Sequence, residues 1–211
     1  MKKNRSGLTR SARLVTQEDL DVRVAEYLSG PEQLSPRELE WGVVRDAPAP
    51  FYEHQTVVGR TYVLLEAYVR AHDLGTVCLS PIDVVLDVTR GLVVQPDVSF
   101  VSKARVGIIR GQIWGPPDLV VEVASRRTAR RDRTTKVSWY RTYRVRECWL
   151  VHPDRRDVVI VDLTREGRHA VGRFKETDTL RSAVLPGIGI QAGELFPRPL
   201  VFASRGHGPG V

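Results

Sequence analysis

The chain has 211 residues, 42% of them hydrophobic and 27% charged, which fits one globular domain with a sizeable core and excludes a disordered chain. A formal net charge of +7 favours polyanionic partners, nucleic acid first. There is no apolar run of transmembrane length, and the polar opening MKKNRSGLTRSAR has no apolar segment behind it. We therefore expect a cytoplasmic protein with no membrane span.

Residues 1–14 are polar and basic, and are expected to form a disordered arm ahead of a single domain over 15–200. Thr16 and Asp19 offer a cap for a short helix running through Leu20, Val22, Val24 and Leu28, ended by Gly30 and Pro31. Residues 39–44 read as a short hairpin, and Pro48 and Pro50 break the chain after it. From Glu53 to His72 the apolar residues Val58, Tyr62, Leu65 and Val69 recur at helical steps, with Gly75 expected to end the helix. Three apolar strands follow, over about 77–88, 92–102 and 118–125. A second helix is predicted from about Arg130 to Tyr143, then strands over 148–152 and 158–162, then shorter strands between Gly167 and Ile190. Residues 201–211 are glycine-rich and expected to be a flexible tail. This order describes an α/β (α+β) core, a mixed central sheet flanked by helices. Cys78 and Cys148 lie in apolar runs and are expected to be buried, reduced thiols.

The strands carry the chemistry. Side chains alternate along a strand, so Gln95, Asp97 and Ser99 share one face, and Asp118, Val120, Glu122 and Ala124 share another. A carboxylate among valines leaves water when the strand packs, which is costly unless it is paired or holds a metal. Asp97 and Glu122 therefore read either as ligands of a divalent cation, with the Val123 carbonyl as a third donor, or as acids satisfied by arginines and backbone amides. Mg²⁺ needs only one or two protein carboxylates, and a bound cation activates water and polarises a phosphoryl oxygen. Asp118 lies about 13 Å from Glu122 at a rise of roughly 3.3 Å per residue, too far to share an ion, and is expected to cap the strand entry.

On the second helix Asp132, Lys136 and Tyr140 are spaced four apart and line one face. Lys136 is either an ordinary surface partner of Asp132 or, because the helix follows the Glu122 strand, a cation that steadies charge at a phosphate. Arg126, Arg127, Arg130, Arg131 and Arg133 crowd into the same connection and suit a phosphate backbone entering the site. His54 at a helix start reads as a cap or packing residue, and Trp114, Trp139, Tyr140 and Trp149 as packing.

The runs QPDVSFV, PDLVVEVAS, RRDRTTKVSWY and RVRECWLVHP, in this order, resemble the Uma-type restriction endonucleases of bacteria. That family belongs to the restriction-endonuclease-like superfamily, whose core carries a PD-(D/E)xK motif. The resemblance spans roughly residues 35 to 163. It implies that Asp97 is the motif's aspartate and Glu122 its second acid, both on Mg²⁺ or Mn²⁺. Ala124 stands where the motif's lysine is usual, and the resemblance assigns that role to Lys136 on the following helix. Glu38 resembles the glutamate that many such nucleases place ahead of the core, His54 and Gln55 resemble the opening of the family's first long helix, and Gln95 is a candidate neighbour of the metal ligands. The chain departs from the family pattern at Arg126, at Arg144 and Val145, and at His152.

The resulting expectation is a metal-dependent endonuclease whose nucleic-acid partner is double-stranded DNA, with a two-fold dimer favoured if both strands are cut. A nuclease fold that binds nucleic acid or a protein partner without cutting, and a hydrolase of another phosphate ester, are the alternatives.

Overall fold

The computed structural model describes residues 17–30, 36–125, 131–164 and 169–198, with the backbone alone at 17–22, 131–133 and 169–171. The expected arm over 1–14 and tail over 201–211 lie outside these residues, as do Arg126, Arg127 and Arg130 and the side chains of Arg131 and Arg133.

The first helix, α1 (Gln17–Ser29), precedes a hairpin of β1 (Arg37–Glu40) and β2 (Val43–Asp46). Its two-residue turn puts Trp41 at φ 54° and Gly42 at φ 77°, the paired left-handed conformations that match the twist of a tight hairpin. The long helix α2 (Tyr52–Ala71) buries Val57, Val58, Thr61, Leu65 and Val69 along one stripe. It ends at Ala71, earlier than Gly75. Gly75 instead opens β3 (Gly75–Leu79) at φ 152°, where a Cβ would stand 2.1 Å from the Val101 carbonyl oxygen, so only glycine fits.

The two apolar runs expected as single strands each divide in two. Residues 77–88 give β3 and then β4 (Val84–Asp87), and residues 92–102 give β5 (Leu92–Val94) and β6 (Val98–Ser102). Pro81 and Pro96 stand at the two breaks; proline has no N–H for the ladder, and in each case the chain leaves one sheet for another there. A short hairpin of β7 (Ile109–Arg110) and β8 (Gln112–Trp114) occupies the connection before β9 (Leu119–Val123). Then come α3 (Arg131–Thr142), β10 (Glu147–His152), β11 (Asp157–Asp162) and β12 (His169–Lys175).

Among the described residues the strands form two mixed six-stranded sheets, ordered β2-β1-β5-β4-β8-β7 and β12-β11-β10-β9-β6-β3. The fold class is the expected mixed α+β; the second sheet exists because the two long runs cross over. In the larger core, α2 and the segment from Leu180 to Phe196 cover one face of the second sheet, meeting Leu119, Val121, Val123, Trp149 and Val151. On the other face Val120 and Cys148 meet Tyr140 of α3 and Val84, Leu92 and Val94 of the first sheet. The alternation read along β9 is therefore real, and Glu122 stands on the Val120 side. Both cysteines are free; Cys148 is buried as expected, whereas Cys78 is only half-buried. No helix of the described residues is long and apolar enough to cross a membrane.

Candidate active site

Asp97 immediately precedes β6, and β6 pairs antiparallel with β9 so that Val98 faces Val121. One step further along that register Asp97 faces Glu122. Directly opposed residues project to the same side of a sheet, so the two acids are brought together by backbone pairing alone. The Val123 N–H donates to Asp97 Oδ2 at 2.7 Å and fixes the carboxylate against the end of β9.

Lys136 projects from α3 onto this pair. Its Nζ donates to Glu38 Oε1 at 2.8 Å and lies 3.4 Å from Glu122 Oε1. The ammonium and both carboxylates are largely buried, with side chains 16%, 13% and 13% exposed. The Tyr140 hydroxyl, one turn along the same face, donates to Glu122 Oε1. Tyr140 is also fully buried against Val120 and Cys148, the packing role the sequence suggested; its hydroxyl bond to Glu122 follows from the face it shares with Lys136. Lys136 is thus held by Glu38 and Glu122.

Glu38 is a member of the cluster. Its Oε1 also accepts the Gln95 backbone N–H at 2.7 Å. The Gln95 side chain turns away from Asp97: its amide donates to Asp83 Oδ1 at 2.9 Å, and its carbonyl oxygen accepts the Arg37 N–H at 3.1 Å. Tyr27 donates to the same Asp83 oxygen at 3.1 Å. Gln95 therefore links β1 to the chain that enters β6. The expectation that it shares a strand face with Asp97 does not hold, because the chain from 95 to 97 lies between strands.

Asp118 is 1% exposed and serves the framework. Its Oδ2 accepts the Ser102 N–H at 2.8 Å, while Oδ1 lies 3.3 Å from Arg105 and 3.4 Å from Arg146. It caps backbone as expected, but across the sheet on β6. Burial would raise its pKa; the Ser102 and Arg105 donors outweigh this and hold the carboxyl below its usual range.

The sequence reading took His54 for a cap or packing residue and did not place it beside Asp97, where the structure has it. It stands in the first turn of α2, and its Nε2 lies 3.5 Å from Asp97 Oδ2. Burial disfavours the charged imidazole, but Asp97, the Val123 carbonyl and Glu122 outweigh it and raise the pKa.

Electrostatically the cluster is short of positive charge. Asp97, Glu122 and Glu38 surround Lys136, with His54 behind. Burial pushes the Glu122 carboxyl up; Lys136 draws it back, and Asp97 and Glu38 push again, leaving it at about 7. Burial would lower the Lys136 pKa, yet Glu122 and Glu38 raise it well above the usual lysine value, so Lys136 is a fixed cation.

Among the described residues no group of three or more His, Cys, Asp or Glu side chains is placed to hold a metal ion. Asp97, Glu122 and the Val123 carbonyl bring oxygens to one end of the sheet, and a divalent cation that keeps most of its water would need no more than two carboxylates.

A crystal structure of a "putative nuclease belonging to DUF820" from Anabaena variabilis matches this fold with a TM-score of 0.67. The two chains share 18% identity over 82% of this chain and 96% of that one, which shows a common fold. No curated protein matches the chain. The Uma2 family, described as "Putative restriction endonuclease", matches residues 14–193, and the chain belongs to that family.

Proposed function

We propose that this protein is a Mg²⁺- or Mn²⁺-dependent endonuclease that hydrolyses phosphodiester bonds of DNA. One observation carries the reading: a largely buried lysine meets Glu122 while Asp97 faces the same glutamate across the β6–β9 register. Lys136 on α3 answers the absence of a lysine at Ala124, since its ammonium reaches the second acid from the helix.

In this reading Asp97 and Glu122 hold the cation, with the Val123 carbonyl beside them. A bound divalent ion acidifies water and polarises the scissile phosphoryl oxygen. Lys136, held by Glu38, presents a permanent positive charge where negative charge gathers in the transition state. Gln95 fixes Glu38 through its backbone N–H, and Tyr140 orients Glu122. Arg126, Arg127, Arg130, Arg131 and Arg133 draw in the phosphate backbone through long-range attraction. Cutting both strands of a duplex would pair two such sites about a two-fold axis, so a homodimer belongs to this proposal.

A binding-only protein is the second reading. It is favoured by the way Lys136 and Tyr140 already satisfy Glu122 Oε1, as an internally balanced acid requires. Cleavage of supercoiled plasmid with Mg²⁺ or Mn²⁺, against EDTA and the Asp97→Ala variant, separates the two. Metal-dependent nicking lost in both controls supports the nuclease. A salt-sensitive gel shift without nicking supports binding alone. Competition by small phosphodiesters tests for a different phosphate ester as substrate.

A further inference from the structure

The turn of the first hairpin carries an unusual side chain. Trp41 takes the left-handed conformation at φ 54°, a position that asparagine, aspartate or glycine fills readily and a bulky aromatic rarely does. It is 41% exposed, and Val43 and Val44 beyond it are 47% and 44% exposed. The turn is nonetheless pinned. The Gly42 N–H donates to the Gly91 carbonyl at 2.9 Å, and Arg23 Nη1 donates to the Gly42 carbonyl at 2.7 Å. A strained, exposed tryptophan on a pinned turn points to a use outside the core.

Its surroundings name the ligand. The Trp41 ring meets Trp139 of α3 edge to face, with centroids 5.7 Å apart and planes at 87°. Trp41 follows Glu38 by three residues and Trp139 follows Lys136 by three, so hairpin and helix touch twice, at the ion pair and at the tryptophans. Trp41 therefore stands about 10 Å along the chain from Glu38, at a rise of roughly 3.3 Å per residue. That is about three base steps from the candidate active site. Over the Trp41 ring, 5.9 Å from its centroid, lies the guanidinium of Arg90, an exposed side chain whose polar neighbours include Tyr143 and Asp87. An exposed cation–π contact is weak, so Arg90 covers the ring face and is readily displaced from it. A planar base fits the same place, and a phosphate gives the displaced guanidinium a stronger partner. A protein partner would use the tryptophan and the valines but leave Arg90 without a role; nucleic acid uses the ring and the cation together.

We propose that Trp41 stacks on an unpaired base of the bound nucleic acid, while Arg90 moves from the ring to the adjoining phosphate. Bases in a duplex cover one another's faces, so the contact selects DNA with a base out of the stack near the point of cutting. Trp139 backs the ring and, through α3, fixes its distance from Lys136.

The inference rests on the nucleic-acid reading above, and the test keeps the two apart. Two duplexes of one sequence are compared, one fully paired and one carrying a single unpaired nucleotide. Binding of each to the full chain, to Trp41→Asn and to Trp41→Phe is followed by fluorescence anisotropy in EDTA. Asparagine suits the left-handed position, so Trp41→Asn removes the ring and keeps the turn. The natural chain should bind the DNA with the unpaired nucleotide about tenfold more tightly, a preference lost in Trp41→Asn and largely kept in Trp41→Phe. Iodouracil at the unpaired position should crosslink to Trp41 of the natural chain on irradiation. Salt-sensitive binding without a preference, or a preference that survives Trp41→Asn, overturns the stacking role and leaves the nucleic-acid reading standing. Failure of both duplexes to bind overturns both. A dimer that dissociates in Trp41→Asn, read by sedimentation, with no crosslink to Trp41, gives the turn to a second copy of the chain and overturns the stacking role as well. The crosslink is read on the natural chain, so the result does not depend on whether a variant folds.

Discussion

Glu38 and Lys136, 98 residues apart, meet at 2.8 Å as a largely buried ion pair that joins the first hairpin to the helix behind Glu122. Glu38 holds the ammonium that lies against the second acid. Lys136→Met should keep the fold and divalent-ion binding while lowering single-turnover plasmid cleavage by about 10²–10³-fold, the usual cost of losing one preorganised charge stabiliser. Glu38→Gln should lower it less. The double variant should be no slower than Lys136→Met, because Glu38 acts through the lysine. Additive losses would give Glu38 a separate role.

Glu122 makes the folded protein pay for its site. Its carboxyl rises from a usual 4.5 to about 7 on folding, so the folded state binds the extra proton between those values. Stability should therefore fall as pH climbs through that window. Glu122→Gln should be more stable than the natural chain at pH 8 in EDTA, on the order of 1–2 kcal/mol, and about equal at pH 4. Denaturant midpoints at the two pH values check this. Added Mn²⁺ should narrow the pH 8 gap by stabilising only the chain that keeps the acid.

Asp118 has the opposite sign. Its folded pKa lies below the usual 3.8, so its contribution is complete above that value and disappears as pH falls below it. Asp118→Asn weakens the bonds to Ser102, Arg105 and Arg146 and should cost about 3 kcal/mol at pH 7. The difference should shrink when unfolding is followed below pH 3.8. Cation binding should survive wherever the variant is folded.

Replacing Arg126, Arg127 and Arg130 together with alanine should weaken DNA binding and flatten its salt dependence. Each lost phosphate contact removes about 0.9 from the slope of log affinity against log salt, so up to about 2.7 in all. Fluorescence anisotropy with Asp97→Ala in EDTA, across a salt series, reads this without cleavage. An unchanged slope would move the electrostatic contact elsewhere.

What was legible in the sequence is local. Alternation along 118–124 put Glu122 on one face and three apolar residues on the other, and the structure keeps that division. Four-residue spacing put Lys136 and Tyr140 on one helix face, and both reach Glu122. Glu38 carried no periodic signal of its own; it came from the family resemblance. The sheet change within 77–88 and 92–102 was signalled by Pro81 and Pro96, but runs of valine and leucine outweighed them. His54 lies 43 residues before Asp97, and no helix pattern states which strand end a helix start will meet. Asp118 was read as an entry cap because local bonding is the commoner use of such an acid, whereas its partners lie on other segments.

The three residues Gln95, Pro96 and Asp97 carry the chain from β5 in one sheet to β6 in the other. A three-residue bridge has no slack. An insertion or deletion there would preserve every strand's hydrophobic pattern yet pull Asp97 out of register with Glu122, or Gln95 away from Glu38. The same economy acts during folding: a chain whose two sheets have yet to dock has its acids but not the Glu38 clasp on Lys136. On the nuclease reading, Lys136 would take up its place beside Glu122 only once both sheets have docked.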